Sequence, residues 1–429
     1  MVTNPRIARK HGRFRPVKGV DFPELAAKKR PPRCANSRGS GPRSCGSLAS
    51  RNVAARSASA EVAALLESPE IGALIRHLEQ TRWTGRPGYP IRTMVGMALA
   101  KSMYALPTWA KLVRLVSEHA ALQVALGCEG DVPSQWACYR FARKLRENGD
   151  ALDACVSRVV AELHRRLPDY GRDVAIDASD LPAYANGQRY LYNHGPERER
   201  FSDPDASWGH RSAVSTRRGG GFYGFKLQAA VCTATGLPVA WEVESARANE
   251  STFVASLLDT AKARGFTVET CAMDKAYDNN RVYDECNERD CQPIVPLKRT
   301  PPIVRGDHLP PSCEHGPWRF AGSDYRRGAA KWRCPIGECA PASTWVRADR
   351  LHPLIPRETL RWKGLYRRRA AIEREFGRLK HEWALLPLRV RGIDRVKLHA
   401  DLTILAKLAT TLGRARGLAS AGACEAKAR

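Results

Sequence analysis

The sequence predicts an α/β domain with a small β-rich insertion, preceded by an all-α N-terminal domain. Apolar residues repeat at intervals of three and four between residues 56 and 168, as in amphipathic helices. Strand-like and helix-like segments then alternate from residue 169 to about 298. A stretch rich in Pro, Gly and Cys, at about 299–357, interrupts this pattern before helical periodicity returns up to residue 416. We therefore expect two folded domains, the second carrying the insertion.

The N-terminal domain is predicted from four helical segments, EVAALLESPEIGALIRHLEQ, PIRTMVGMALAKSMYAL, TWAKLVRLVSEHAALQVALG and SQWACYRFARKLRENG. Thr108 is a predicted helix N-cap, and Pro133-Ser134 a predicted helix start. Two helices that meet across CEGDVPS favour a helix-turn-helix variant. Its second helix would present basic residues to DNA: Arg140, Arg143, Lys144 and Arg146. The alternative is a helical bundle with a solvated basic face.

The second domain is predicted from five strands, DVAIDAS, FYGFKLQAAVC, LPVAWEVES, FTVETCAMD and CQPIVPLK, and two helices, NESTFVASLLDTAKARG and NRVYDECNERD. Three strands come first, and helices and strands alternate after them, which indicates a mixed sheet. A polar connection too long for a hairpin joins the first two strands and could become ordered on DNA. A terminal helix is expected at about 391–415, packed on the core.

The insertion contains two pairs of potential metal ligands, Cys313 with His315 and Cys334 with Cys339. These pairs are compatible with a structural zinc site, but their spacing departs from the commoner C-x2-C pattern and does not require a metal. A tryptophan of the insertion could stack on a flipped base or pack in a small core. The candidates are Trp318, Trp332 and Trp345.

The charge of the chain indicates a polyanionic partner. Seventy Lys and Arg residues against 44 Asp and Glu give a formal net charge of +26. Each phosphate contact releases counterions, so such an excess favours nucleic acid. Residues 1–55 are predicted to be a flexible basic arm and residues 417–429 a flexible tail. No membrane span or signal peptide is apparent, and the 13 cysteines suit reduced thiols, so we expect a cytoplasmic protein.

The segment LYRRRAAIEREFGRLKHEW places one carboxylate among cations and an aromatic ring. Residues three, four and seven apart share a helical face, so the four side chains should point toward one ligand: Tyr366, Arg369, Glu373 and Lys380. Two further acids, Asp177 and Asp274, each end an apolar run. Taken singly, these acids could be a strand-end cap, a helix N-cap and half of an intrahelical ion pair. Together they could form a metal site.

At these residues the sequence resembles the DDE transposases of the IS4-like insertion-sequence group. The helix matches the signature Y-x2-R-x3-E-x6-K at all four positions, and the resemblance covers roughly residues 170–412. It implies an RNase H-like catalytic domain in which Asp177, Asp274 and Glu373 bind Mg²⁺, with Mn²⁺ as a substitute. It also implies that the insertion and Tyr366, Arg369 and Lys380 handle transposon-end DNA. Three nearby acids are expected not to take part: Asp180, past a strand end; Asp278, a helix cap; and Glu375, on another helical face.

The predicted function is therefore that of a bacterial insertion-sequence transposase that binds the inverted-repeat ends of its element. Mg²⁺-dependent strand cleavage and strand transfer would follow, on double-stranded DNA and in a homodimeric synaptic complex that pairs the two ends. The alternatives are a related nuclease that cuts without joining and a domesticated DNA-binding protein that has lost catalysis.

Overall fold

The computed structural model describes residues 58–81, 88–187, 202–211 and 219–427, with side chains up to residue 417. The predicted basic arm, residues 1–55, lies outside the described residues, as does most of the polar connection after the first strand. Among the described residues, no helix is both long and apolar enough to cross a lipid bilayer.

In the described part of the region predicted to be helical there are seven helices: α1 (Ala58–Leu66), α2 (Pro69–Gln80), α3 (Ile91–Met103), α4 (Trp109–Glu118), α5 (Ala120–Leu126), α6 (Gln135–Glu147) and α7 (Gly149–Arg166). The Thr108 and Ser134 side chains accept hydrogen bonds from the backbone of Lys111 and Ala137, which confirms both predicted helix starts. Two predicted segments are each divided into two helices. Pro69 begins α2 and breaks the first segment, because proline is favoured in the first turn of a helix and not in its interior.

A six-stranded mixed sheet follows, formed by β1 (Asp173–Pro182), β2 (Ser207–Arg211), β3 (Gly220–Cys232), β4 (Pro238–Ser245), β5 (Thr270–Ala272) and β6 (Gln292–Ile294). All five predicted strands are present. β1, β3 and β4 are antiparallel neighbours, whereas β5 and β6 run parallel to β1. β2 was not predicted, because it lies inside the polar connection. It pairs with the first half of β3, where Gly224 approaches the Leu181 backbone too closely for a Cβ atom.

Helices α8 (Val254–Ala263) and α9 (Asn280–Asn287) connect the later strands, as predicted. The insertion begins with α10 (Pro301–Arg305) and continues with a hairpin of β7 (Ser312–Cys313) and β8 (Gly316–Pro317). A three-stranded sheet completes it, formed by β9 (Arg319–Asp324), β10 (Ala329–Arg333) and β11 (Ser343–Arg347). Trp332 is buried and contacts Phe320 edge-on, whereas Trp345 is 42% exposed and flanked by the cations of Arg327 and Lys331.

Three helices complete the fold: α11 (Leu360–Arg367), α12 (Ala370–His381) and α13 (Ile393–Lys427). α12 packs on β1 and β3, and α13 packs on α1, α3, α6, α7 and β4. One continuous set of buried side chains, from Val62 to Leu412, includes the N-terminal helices, the sheet and α13. Among the described residues, this core is continuous on both sides of residue 168, where a domain boundary was expected. The backbone of α13 also continues through the segment predicted to be a tail from residue 417.

Candidate functional site

The register of the sheet places Asp177 and Asp274 beside each other. β1 and β5 are parallel neighbours, with Ala175 opposite Ala272. Asp177 and Asp274 each follow two residues later in the same direction, because parallel strands advance together. Asp177 lies within β1 and not at its end, which corrects the expected strand-end position. Asp274 follows β5, and its side chain accepts a hydrogen bond from the Ala276 backbone N–H, so it also caps a short 3-10 turn.

Arg369 connects Asp177 to Glu373. Its Nη1 atom donates to Asp177 Oδ2 at 3.0 Å, and its Nη2 atom donates to Glu373 Oε1. The Arg369 side chain is 18% exposed and that of Asp177 20%, whereas Glu373 is 58% exposed. The first turn of α12 thus brings Glu373 to the carboxylate in the middle of β1. The three predicted acids therefore lie close together in the fold, although Asp177 and Glu373 are nearly 200 residues apart in the sequence.

The helix that carries this motif is not continuous. α11 ends at Arg367 and α12 begins at Ala370, with backbone hydrogen bonds from residue i to i−3 between them. Tyr366 belongs to α11 and stacks on Trp362, with ring centroids 5.0 Å apart and an interplanar angle of 15°. Lys380 is half-buried in the last turn of α12, about 10 Å along the helix from Glu373. The expectation of one unbroken helical face is therefore wrong, although Arg369 and Glu373 do point the same way.

The environment of the Asp177 carboxyl group disfavours its charged form. Burial raises its pKa to about 7, and the negative charges of Asp274 and Glu250 add to this shift. Arg369 and a hydrogen bond from the Ala178 backbone N–H act in the opposite direction. The Tyr277 hydroxyl is buried nearby and has no hydrogen-bond partner in the described part of the chain. Burial together with the charge of Asp177 raises the pKa of Tyr277 well above its usual value. A divalent cation would relieve this excess of negative charge.

These donors fit magnesium better than a softer metal. Asp177, Asp274 and Glu373 offer carboxylate oxygens, which Mg²⁺ and Mn²⁺ prefer, and Mg²⁺ commonly uses one or two carboxylates and several waters. Arg369 supplies positive charge between Asp177 and Glu373 in this arrangement. Metal binding would therefore release the guanidinium from at least one carboxylate.

The three acids expected not to take part have other partners. Asp180 lies within β1 and not past its end, 3.5 Å from Arg211. Asp278 does not cap α9, because Asn279 does so. Asp278 instead accepts from the Lys298 backbone and pairs with Arg350 at 2.9 Å. Glu375 is fully buried on α12 and pairs with Lys407 of α13.

Arg140 and Arg143 line a cleft of about 700 Å³ between α6 and the segment that leads into α13. Six arginines line it: Arg140, Arg143, Arg146, Arg389, Arg391 and Arg395. Burial and the nearby charge of Arg395 lower the pKa of Arg146, as expected where positive charges are crowded. Lys144 does not belong to this surface. It is 9% exposed and its Nζ atom donates to the Thr81 carbonyl, which corrects its prediction as a DNA contact.

The cleft contains aromatic residues that sequence reasoning missed. Trp136 is 64% exposed and Tyr139 46% exposed, and both occupy the same face of α6 as Arg140 and Arg143. The guanidinium groups of Arg389 and Arg391 each lie 5.3 Å from the ring centroid of Tyr184. The signal was present in LPLRVRGIDR, where arginines alternate with apolar residues, but its position opposite α6 depends on the tertiary fold. Eight residues separate α5 from α6, more than the three to four of a standard helix-turn-helix.

Comparison with known proteins identifies the family. The transposase DDE domain model matches residues 171–408, which is more than half of the chain, and a second transposase domain model (DUF772) matches residues 50–144. A search of curated protein sequences finds no significant match. Among solved structures, the chain is similar to a piggyBac transposase in a synaptic complex with hairpin DNA. That similarity has 8% identity and a TM-score of 0.39, over 85% of this chain and 76% of that chain. The family match spans the strands and the helix that bring Asp177, Asp274 and Glu373 together, and the chain therefore belongs to the DDE transposase family.

Proposed function

We propose that this DDE transposase binds the inverted-repeat ends of an IS4-like insertion sequence and catalyses Mg²⁺-dependent strand cleavage and strand transfer. The observation that carries the proposal is the convergence of Asp177, Asp274 and Glu373 through the parallel register of β1 with β5 and the Arg369 bridge. Their chain order and the Tyr366, Arg369, Glu373 and Lys380 motif support assignment to the IS4-like group.

The sheet supports an RNase H-like catalytic domain. Its strands lie in the order β4, β3, β1, β5 and β6, with three antiparallel strands followed by two parallel ones. The first catalytic acid is on the central strand β1 and the second follows the adjacent β5. The third comes from a helix packed on the same strands. Ligands of open mixed sheets commonly bind at the carboxyl ends of parallel strands, where Asp274 lies.

In this proposal the three carboxylates hold Mg²⁺, and the cationic side chains hold DNA. When bound, Mg²⁺ supplies stabilisation of the attacking and leaving oxygens of an in-line phosphoryl displacement. Arg369, once released from a carboxylate, offers a planar fork to a phosphate at the scissile position. Lys380 supplies a point charge about 10 Å along α12, suited to another phosphate of the same strand. Tyr366, fixed by stacking on Trp362, positions its hydroxyl or ring beside the DNA.

Magnesium affinity is expected to depend on pH because Asp177 must lose its proton to bind the cation. With a pKa of about 7 in the metal-free protein, the apparent affinity should rise roughly tenfold per pH unit below 7 and level off above 8. Calorimetric Mg²⁺ titrations at pH 6, 7 and 8, in buffers of different ionisation enthalpy, would measure the affinity and the proton release.

The raised pKa of Asp177 also means that its carboxyl group destabilises the metal-free fold as pH rises from about 4 through 7. Asp177→Asn should therefore raise the neutral-pH Tm, and equal Mg²⁺ affinities at pH 6 and 8 would contradict the assignment.

We propose that the cleft lined by the six arginines holds duplex DNA outside the scissile position. Replacing both Arg140 and Arg395 with alanine should weaken binding of end DNA and reduce the slope of log K against log salt by about 2, because each phosphate contact contributes about 0.9. Fluorescence anisotropy titrations at several salt concentrations between about 50 and 200 mM would measure the slope. Arg114→Ala is the matched control, because Arg114 is an exposed arginine of α4 that pairs with Glu118. An unchanged slope in the double variant would exclude this cleft as a DNA site.

The function is tested by incubating the full chain with labelled DNA that carries the repeats flanking its gene, in Mg²⁺ or EDTA. Metal-dependent nicking at the repeat end followed by joined products would support the transposase. Cleavage without joining would indicate a nuclease, and tight binding without cleavage a domesticated DNA-binding protein. Pairing of two ends requires two sets of the site, so we propose a homodimer in the synaptic complex, acting on DNA in the bacterial cytoplasm.

A further inference from the structure

We propose that Cys313, His315, Cys334 and Cys339 bind one structural Zn²⁺ ion in the insertion. Their four ligand atoms all lie within 4.8 Å of one another. The Sγ atoms of Cys313 and Cys334 are 3.8 Å apart. His315 Nδ1 lies 3.9, 3.6 and 3.5 Å from the Sγ atoms of Cys313, Cys334 and Cys339 respectively.

These separations are those of a tetrahedral zinc site. With Zn–S bonds of about 2.3 Å and a Zn–N bond of about 2.05 Å, tetrahedral angles place two sulfurs about 3.8 Å apart and a sulfur and a nitrogen about 3.6 Å apart. The four separations given above agree with these values within about 0.3 Å. A disulfide does not explain the cluster, because its sulfurs would be about 2.05 Å apart and the remaining thiol and imidazole would have no role.

The groups around the four ligands also suit a bound cation. Cys334 Sγ accepts a hydrogen bond from the Gly337 backbone N–H at 3.4 Å. His315 directs Nδ1 toward the sulfurs, while its Nε2 atom lies 3.8 Å from Glu314 and 3.9 Å from Glu338. Both distances are longer than a hydrogen bond, so these carboxylates contribute negative charge near the imidazole without fixing its tautomer. Three thiolates and one neutral imidazole form a common closed structural zinc site, with no position left for a substrate.

The insertion needs such a site because its hydrophobic core is small. Within residues 301–357, all of which are described, Trp332 is the largest side chain that is buried, and seven other apolar residues are buried: Ala329, Ala330, Cys334, Pro353, Leu354, Ile355 and Pro356. A segment of this size rarely folds on so little apolar burial without a metal or a disulfide. The ligands join the β7–β8 hairpin to the loop after β10, so the ion would fix one end of the three-stranded sheet. On that sheet the exposed Trp345 ring lies between the cations of Arg327 and Lys331.

The first test is the metal content of the full chain and its optical spectrum with Co²⁺. We expect about one zinc per chain and, after Co²⁺ exchange, the thiolate-to-metal charge-transfer band of a tetrahedral site. Oxygen ligands such as the three acidic residues would not produce that band. Cys313→Ser and Cys339→Ser should each lose both signals, whereas Cys128→Ser, a change at a buried cysteine of the helical region, should keep them.

A second variant keeps the test decisive if the serine variants fold poorly. His315→Cys converts the site to four thiolates, so it should retain the metal and intensify the charge-transfer band. Wild-type protein with less than about a tenth of an equivalent of zinc and no cobalt–thiolate band would overturn the proposal. Equal zinc and cobalt signals in Cys339→Ser and wild type would also overturn it, because the metal would then lie elsewhere.

Discussion

Glu373→Gln is expected to lower the rate of DNA strand cleavage by about a thousandfold or more while leaving the fold intact. The change removes the charge of a proposed metal ligand but keeps the size of the side chain. A metal-bound carboxylate lost from the site removes about 4 kcal/mol of transition-state stabilisation, which corresponds to a rate decrease of about 10³-fold. The Glu373 side chain is 58% exposed, so loss of its pair with Arg369 should change the free energy of unfolding by less than about 1 kcal/mol. Single-turnover cleavage of labelled end DNA and thermal denaturation measure the two quantities.

Glu382→Gln is the matched control for this prediction. Glu382 is an exposed acid at the other end of α12, and the same change there removes the same charge without touching the carboxylate cluster. It should cleave DNA at the wild-type rate. A Glu373→Gln protein that cleaves within about tenfold of wild type would remove Glu373 from the proposed metal ligands, since about 1.4 kcal/mol is too little for a direct ligand.

Glu375→Ala, two residues from Glu373, is expected to affect the stability of the fold, lowering the free energy of unfolding by about 3–5 kcal/mol. Glu375 is fully buried and pairs with Lys407, which is 6% exposed. Burial raises the pKa of Glu375 and lowers that of Lys407, so each group depends on its partner to remain charged. Removing the carboxylate leaves a buried ammonium group with no counterion. Urea denaturation monitored by circular dichroism measures the change.

The double variant Glu375→Met/Lys407→Met should recover most of that stability. One carboxylate oxygen of Glu375 has no hydrogen-bond partner among the residues that the structure describes, so the pair does not offset its full desolvation cost. Two apolar side chains of similar length would remove the cost altogether. If the double variant were as unstable as Glu375→Ala, loss of packing and not the unpaired charge would be the cause.

Much of the fold could be predicted from local patterns. Hydrophobic periodicity and turn residues located the helices and the five strands near the acids, because those elements bury one face or run through the core. β2 could not be predicted in this way. Its burial alternates only between partial and exposed, and it exists because the first half of β3 needs a partner. The break between α11 and α12 could not be predicted either, since RRRAAIE has ordinary helical propensity and contains no proline or glycine.

The candidate site was more predictable for its acids than for its cations. The three acids could be selected from the sequence because their order and flanking residues resemble the family signature, whereas the partners of basic residues depend on what packs behind them. Lys144 has the spacing of a DNA contact but donates to the Thr81 carbonyl within the fold. Arg391 and Arg395 lie about 250 residues from Arg140 in sequence, and only the packing of α13 on α6 brings them to one cleft. The cysteine spacing likewise gave no clear metal signal until the hairpin and the β10 loop were placed together.

The shared core has a consequence for how such elements can evolve. α13 is a 35-residue helix whose apolar side chains are covered partly by the N-terminal helices and partly by the sheet. Neither half could be exchanged for that of a related element without rebuilding the surface that α13 presents to both. If the cleft binds end DNA as proposed, new end specificity would therefore arise by gradual substitution along the cleft and not by exchange of whole domains. For the same reason, a gene fragment that encodes only the catalytic half should yield aggregated protein.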